Sequence, residues 1–126
     1  MTWIDEIIRV YNEYFKETFD KLGLVEYEKM DGPGMGALVK YKSDFFRLQV
    51  INDRGILETD ISPLFGDEQF RGIDLFNSYL TLSTMTTITS ELERRKILGT
   101  RLDYQTQMTF LINNANRLKD ILDKHN

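Results

Sequence analysis

The sequence predicts an α+β domain: an N-terminal helix, a four-stranded antiparallel meander, and two or three C-terminal helices packed on one face of the sheet. Long stretches at both ends of the chain carry apolar residues at spacings of three and four, which is typical of amphipathic helices. The middle third consists of short alternating stretches separated by turn residues, which indicate strands. The 126 residues contain no linker, so we expect residues 1–126 to form a single domain.

The first helix is predicted over residues 3–22. Asp5 and Glu6 would lie in its first turn, where the helix dipole favours anions, and Gly23 would end it in the left-handed conformation. The apolar stripe is expected to belong to the core, with a subunit interface as a second interpretation that leaves a homodimer open. Its members share one helical face: Ile4, Ile8, Tyr11, Phe15, Phe19 and Leu22, with Ile7, Tyr14 and Thr18 widening it.

Four alternating stretches predict the strands of the meander: residues 24–30, 37–43, 45–51 and 56–61. The expected inward side chains are Val25, Tyr27, Val39, Tyr41, Phe46, Leu48, Val50, Leu57, Thr59 and Ile61. Residues 43–44 form a plausible corner, and residues 52–55 (NDRG) predict a type I turn or a bulged hairpin. Adjacent strands joined by short turns are expected to pair antiparallel.

The region after the sheet starts with a predicted loop at residues 64–72, in which Phe65 and Phe70 serve as apolar anchors. Asp74 can cap a helix that continues through Leu80.

The C-terminal part predicts at least one further helix. Residues 82–89 are ambiguous because β-branched residues weaken a helix there, whereas residues 90–98 are good helix formers. Thr100 and Asp103 resemble a capping box, and the helix that follows is predicted to reach about Lys124.

Composition excludes several kinds of site. Without cysteine the chain has no disulfide, thiolate zinc site or cysteine nucleophile, and a single histidine at position 125 cannot build a conventional triad or His-rich metal site. Residues 32–37 match a dinucleotide-binding glycine pattern, but a strand pattern follows them, so we interpret them as a hairpin loop. We therefore predict no catalytic residue, metal or cofactor.

Charge and hydropathy favour a soluble protein without a nucleic-acid partner. The net charge of -4 and the pI of about 5.0 lack the basic footprint that phosphates require. The N-terminus has no basic region followed by an unbroken apolar run, and no stretch approaches the roughly 18 apolar residues of a membrane span. We expect neither a signal peptide nor a membrane segment, and the absence of cysteine favours the cytoplasm.

Four acidic residues alternate with apolar residues in the first and fourth predicted strands. They are the main candidates for contact with a protein partner: Glu26, Glu28, Glu58 and Asp60. Asp53, at the tip of the NDRG turn, is a further candidate because turn residues are exposed. On one side of the sheet these groups would form an acidic surface that attracts a basic protein. Alternatively, Lys40, Lys42 and Arg47 neutralise them as cross-strand pairs, which leaves a solvated charged face.

Several segments resemble small bacterial toxin-immunity proteins: LGL at 22–24, VKYKSD at 39–44, LQVINDRG at 48–55, DISPLF at 60–65 and DLFNSYL at 74–80. Such proteins bind a cognate toxin domain and block its active site, often with an acidic surface when the toxin is a nuclease. The resemblance implies a non-catalytic, cytoplasmic immunity protein that neutralises a basic toxin or effector by occlusion.

Three other functions stay open. The size and acidity are also similar to those of type III secretion chaperones, which are dimeric, although that family inserts a helix among its strands and four strand patterns follow one another here. A small enzyme would need a carboxylate-based site, which a cluster of inward-facing acids in a deep pocket would indicate. A small-ligand sensor would need an apolar cavity between sheet and helices.

Overall fold

The computed structural model describes residues 2–32, 36–84 and 102–124 and confirms the α+β class. The elements in chain order are α1 (Trp3–Val10), a π-helical turn (Tyr11–Phe15), α2 (Lys16–Leu22), β1 (Val25–Gly32), β2 (Gly36–Lys42), β3 (Arg47–Asp53), β4 (Ile56–Ser62), β5 (Arg71–Gly72), α3 (Ile73–Thr84) and α4 (Tyr104–Lys124). The strands form one antiparallel meander in the order β1 to β5, so the sheet has five strands where the sequence predicts four. The helix predicted at residues 90–98 lies outside the described residues.

A π-helical turn interrupts the first helical segment and corrects the predicted stripe. Ile8 of the predicted stripe is 40% exposed, whereas Val10, outside the prediction, is buried together with Ile7. The next buried residue after Val10 is Phe15, five positions further on. One extra residue in a turn shifts the helical phase by about 100°. The shift brings the buried residues of α1 and those of α2 onto the same core.

The ends of this segment follow local rules. Thr2 and Asp5 form a reciprocal capping box, in which each side chain accepts the other's backbone N–H at 3.2 Å. Gly23 takes the left-handed conformation (φ +73°) and ends α2, as predicted. The chain then turns directly into β1.

The side of the sheet that faces α1 (the helix side) is apolar and closed. Val39 and Tyr41 of β2 pair with Val50 and Leu48 of β3, and Leu48 pairs with Ile61 of β4. The side chains of this side are buried, as predicted for strands β2 to β4: Val39, Tyr41, Leu48, Val50, Leu57, Thr59 and Ile61. The Tyr11 ring stacks on Tyr41 with centroids 5.8 Å apart, and Phe15 and Phe19 are fully buried, so these three aromatic residues pack in the core, whereas Tyr14 is 44% exposed.

Strand β1 departs from the predicted half-buried pattern. It forms an edge of the sheet, and Val25 is 66% exposed, so the expectation that Val25 and Tyr27 point into the core is wrong. A β-bulge lies between Glu26 and Glu28: Glu26 pairs with Tyr41 and Glu28 pairs with Lys40. The bulge ends the simple alternation of sides along this strand.

The β3–β4 hairpin closes with a two-residue turn rather than the predicted type I turn or bulge. Arg54 and Gly55 both have positive φ (52° and 100°), as in the primed turns that match strand twist. The buried Asn52 side chain accepts the Gly55 N–H at 2.7 Å and donates to the Trp3 carbonyl at 3.0 Å. These bonds attach the hairpin to the start of α1.

Helices α3 and α4 contribute further residues to the core. Helix α3 begins at Ile73, so Asp74 lies in its first turn and accepts the Leu102 N–H at 3.1 Å instead of capping the helix. Asp103 caps α4 by accepting the Thr106 N–H at 2.7 Å, whereas Thr100 lies outside the described residues. Helix α4 reaches Lys124 as predicted and buries one stripe: Gln107, Met108, Phe110, Leu111, Ala115, Leu118 and Leu122.

Candidate partner-binding face

The side of the sheet that faces away from α1 (the open side) has two halves, which differ in the side chains that neighbouring strands bring together. One row pairs Glu28, Lys40, Gln49 and Asp60 across strands β1 to β4, and the next pairs Met30, Leu38, Ile51 and Glu58. The first row lies beside residues 63–70, since Glu68 bonds to Lys40 of this row, and the second row is only partly buried. The two halves therefore present different chemistry to a partner.

Lys40 attaches the 63–70 loop to the sheet. Its Nζ lies 2.6 Å from a carboxylate oxygen of Glu28 and 2.6 Å from one of Glu68, and 5.6 Å from the centre of the Phe70 ring. The Tyr27 hydroxyl donates to Glu68 at 2.9 Å, and burial together with this bond raises the pKa of Tyr27 to about 12. The Lys40 bond holds the pKa of Glu68 below its ordinary value, so the network favours the charged carboxylate.

Arg47 and Ser62 hold the same loop at two further points. The Arg47 guanidinium donates to the Pro63 carbonyl at 2.6 Å and to the Gly66 carbonyl at 2.9 Å. The Ser62 hydroxyl accepts the Gln69 N–H at 2.8 Å. The loop thus hydrogen-bonds to the sheet along most of its length, although the predicted anchor Phe65 is exposed rather than buried.

Asp60 is placed inside the protein, so it does not belong to an exposed acidic surface. Its side chain is buried, and the Gln49 amide donates to it at 2.9 Å. Burial raises the pKa of Asp60, and the nearby Asp74 carboxylate raises it further. A Cβ on Gly72 would lie 3.7 Å from Asp60, so the β5 backbone passes close to the carboxylate.

The other candidate acids do not form one patch either. Glu26 pairs with Tyr41, a residue of the helix side, whereas Glu28 lies on the open side and is paired with Lys40. The predicted neutralisation by Lys40 therefore holds for Glu28. Glu58 is exposed in the row that contains Ile51, and Asp53 is exposed at the end of β3.

Exposed apolar residues surround these two acids, and sequence reasoning missed them. Met30 and Ile56 are each 55% exposed, and Leu38 and Ile51 are half-buried between them on the open side. We name these four residues, together with Asp53 and Glu58, the open patch. The sequence contains a signal for this patch, because Leu38 and Ile51 are apolar residues on the predicted polar side of their strands.

Acidic side chains and one groove were the features to weigh for a metal or catalytic site in the ranges that the structure describes. Those ranges contain no group of three or more acidic or histidine side chains that could hold a metal ion. An open groove of about 450 Å³ between α3 and α4 is lined mainly by amide and hydroxyl side chains, and its carboxylate, Asp103, caps α4. Over the same ranges, no helix has the length and apolar character needed to cross a bilayer.

The open patch thus combines four neighbouring apolar side chains with two exposed carboxylates on a strand framework whose adjacent half is held by hydrogen bonds. Such a surface can bind another protein without further chemistry. No protein-family model, curated protein or solved structure shows a significant match to this chain.

Proposed function

We propose that this protein is a non-catalytic protein-binding module, most concretely a cytoplasmic immunity protein that neutralises a basic toxin or effector domain by covering its active site. The observation that supports the proposal is the open patch, where Met30, Leu38, Ile51 and Ile56 leave apolar surface in water beside two exposed carboxylates. Contiguous apolar surface rimmed by polar groups is typical of interaction sites.

The energetic contribution of such a patch comes from its apolar residues. Full burial of one aliphatic side chain is worth about 1.5–3 kcal/mol, and the patch residues retain part of that amount because they are only half-buried or exposed. Asp53 and Glu58 would add steering of a positively charged partner more than affinity. A rigid sheet loses little conformational entropy on binding, which suits an inhibitor that acts by occlusion.

The test is binding by variants of the open patch. Ile56→Asp and Glu58→Lys should each weaken capture of a basic partner from the native host, and should weaken protection of cells that express the partner. Glu17→Lys on α2 makes the same charge change as Glu58→Lys at an exposed site away from the sheet and should leave both readouts unchanged. If all three variants bind the partner equally well, the open patch is not the binding surface.

A carboxylate-based small enzyme is the second candidate, and the observation that favours it is Asp60. A buried carboxylate with a raised pKa beside a second acid, Asp74, is an arrangement used in acid–base catalysis. Turnover of a substrate by the purified protein that Asp60→Asn abolishes would establish this function and contradict the binding proposal.

An acidic, dimeric secretion chaperone is the third candidate. The exposed edge of β1 favours it, because an edge strand can accept a further strand from another chain. Binding of an unfolded effector segment, rather than a folded domain, would distinguish this function from an immunity protein.

A further inference from the structure

We propose that two copies of this chain associate through β1, pairing antiparallel so that the two five-stranded sheets form one continuous sheet, with Glu26 of each copy opposite Lys29 of the partner subunit. The two edges of the sheet differ strongly: β5 has only two residues, whereas β1 has eight, all exposed or half-buried. Long bare edges are uncommon because their free N–H and C=O groups pair readily with another strand.

The bulge gives β1 a symmetric arrangement of side chains. Tyr27 and Glu28 both reach the open side, where they contact Glu68 and Lys40. On either side of the bulge, Glu26 and Lys29 pair with residues of the helix side, Tyr41 and Val39. The two bulged residues together occupy one position of the ladder. The order of open-side and helix-side residues along β1 is therefore the same in both directions from the bulge.

One position further from the bulge, Val25 and Met30 return to the open side. Val25 pairs with Lys42 and Met30 pairs with Leu38, which both belong to that side. Their side chains are 66% and 55% exposed. The symmetry therefore extends over residues 25–30 and places an apolar residue at each end.

A twofold axis through the bulge makes the cross-strand pairs on either side of it complementary. Glu26 faces Lys29 of the partner subunit twice, and Val25 faces Met30 of the partner subunit twice, each pair on the same side of the sheet. Opposite charges and apolar pairs directly across a ladder both stabilise it. The Glu28 carboxylates near the axis are already compensated by Lys40 at 2.6 Å.

The neighbouring registers that keep the sides aligned are unfavourable. Moving the axis to Lys29 places the two Lys29 side chains opposite each other and Glu26 opposite Asp31 of the partner subunit. Moving it to Glu26 places two glutamates opposite each other. Like charges directly across a ladder destabilise it, so the charge pattern selects the register centred on the bulge.

The expected dimer is modest in strength. Contact along one strand buries less surface than a standard protein–protein interface, so we expect a dissociation constant on the order of micromolar. Met30 belongs both to the open patch and to the paired edge, whereas Leu38, Ile51 and Ile56 lie on strands β2 to β4, away from that edge. The dimer is therefore tested by residues outside the open patch, Glu26 and Lys29, and its failure would leave the proposed function standing.

Charge reversal tests the register in solution. Sedimentation velocity of the full chain over a concentration series should show a monomer–dimer equilibrium, and Glu26→Lys and Lys29→Glu should each raise its dissociation constant about tenfold or more, because both symmetric ion pairs become repulsive. The double variant Glu26→Lys/Lys29→Glu should restore the wild-type constant. The matched controls Glu17→Lys and Lys21→Glu, which reverse an exposed ion pair on α2, should leave it unchanged.

A cross-link provides a second readout, since the chain has no cysteine of its own. In Glu26→Cys/Lys29→Cys, residues opposite each other lie roughly 5 Å apart, so oxidation should give a covalent dimer on a non-reducing gel. Glu26→Cys alone should not cross-link efficiently, because its two copies are diagonal neighbours roughly 7–8 Å apart. A wild-type chain that stays monomeric at all concentrations, or a dimer that the double charge reversal does not restore, would overturn the proposal.

Discussion

The helix side and the open side of the sheet come from the same strands, yet their side chains are buried in different ways. On the helix side, rows such as Tyr41–Leu48–Ile61 are apolar and closed by α1 and by the aromatic residues of the first helical segment. On the open side, one half is covered by the 63–70 loop through Lys40 and Arg47, and the other half stays partly exposed. Burial of apolar area supports the first side, whereas directed polar contacts support the second.

This difference indicates which side specifies the fold and which is available for binding. Apolar burial is non-directional and tolerates few losses of volume, so the helix side should dominate stability. The polar contacts of the open side are individually weaker but hold one loop in one place. A partner can use the uncovered half without disturbing the core.

The largest effect is expected from truncation on the helix side. Leu48→Ala removes a fully buried side chain and should lower the free energy of unfolding by about 2–5 kcal/mol. Ile51→Ala, on the same strand but on the open side, should cost about 1 kcal/mol or less because the residue is only half-buried. Urea denaturation of both variants measures the difference, and equal losses would contradict the contrast between the two sides.

Asn52 tests a polar contact on the helix side. Asn52→Ala leaves the Trp3 carbonyl without its side-chain donor and the Gly55 N–H without its acceptor, so the free energy of unfolding should fall by about 1–3 kcal/mol. Hydrogen exchange should also quicken at the start of α1 and in the β3–β4 turn. The adjacent exposed residue provides the control, since Asp53→Ala should change neither region appreciably.

Lys40 tests the covered half of the open side. Lys40→Met removes the ammonium shared by Glu28 and Glu68 and should cost about 1 kcal/mol of global stability. Backbone exchange should increase in residues 63–70 more than elsewhere. Lys21→Met, which breaks an exposed helix pair, serves as the control, and unchanged exchange of the loop in Lys40→Met would show that Arg47 and Ser62 suffice to hold it.

The smallest effect concerns the buried acid of the open side and depends on pH. Because burial raises the folded-state pKa of Asp60 above its ordinary value of 3.8, its stabilising contribution is present below that value and is lost as the pH rises through the raised pKa. Asp60→Asn keeps an acceptor for Gln49 without the charge, so the variant should gain stability relative to wild type at pH 7.

That gain should shrink toward zero as the pH falls below 3.8, where the wild-type carboxyl is also neutral. Denaturation of both proteins across this range measures it, with Glu58→Gln as the control for loss of one carboxylate on the same strand. A constant difference at every pH would show that Asp60 acts through packing and hydrogen bonding alone.

The sequence predicted what depends on local periodicity. Alternation along β2 to β4 placed Val39, Leu48 and Ile61 in the core, and helical spacing placed the stripe of α4. Gly23 marked the end of the first helical segment because few other residues adopt its backbone conformation at low cost. Each of these features is determined by neighbours within a few positions.

Features that depend on distant residues escaped prediction. The bulge beside Tyr27 is a feature of the pairing between β1 and β2, not of β1 alone. Asp60 is buried because Gln49 and the β5 backbone lie next to it, and neither is a neighbour in the sequence. The predicted contact surface failed to form as one acidic patch for the same reasons. Leu38 and Ile51 are apolar residues on the predicted polar side of their strands. They were the local signal that the open side carries apolar surface as well as solvated charges.

The π-helical turn has a consequence for insertions and deletions among related chains. A relative that lacks one residue between Val10 and Phe15 would form an uninterrupted α-helix, and its first two turns would rotate by about 100° relative to the rest. Ile7 would then leave the core and another position would enter it. A single-residue gap at this point of an alignment should therefore coincide with an exchange of apolar and polar residues upstream of it.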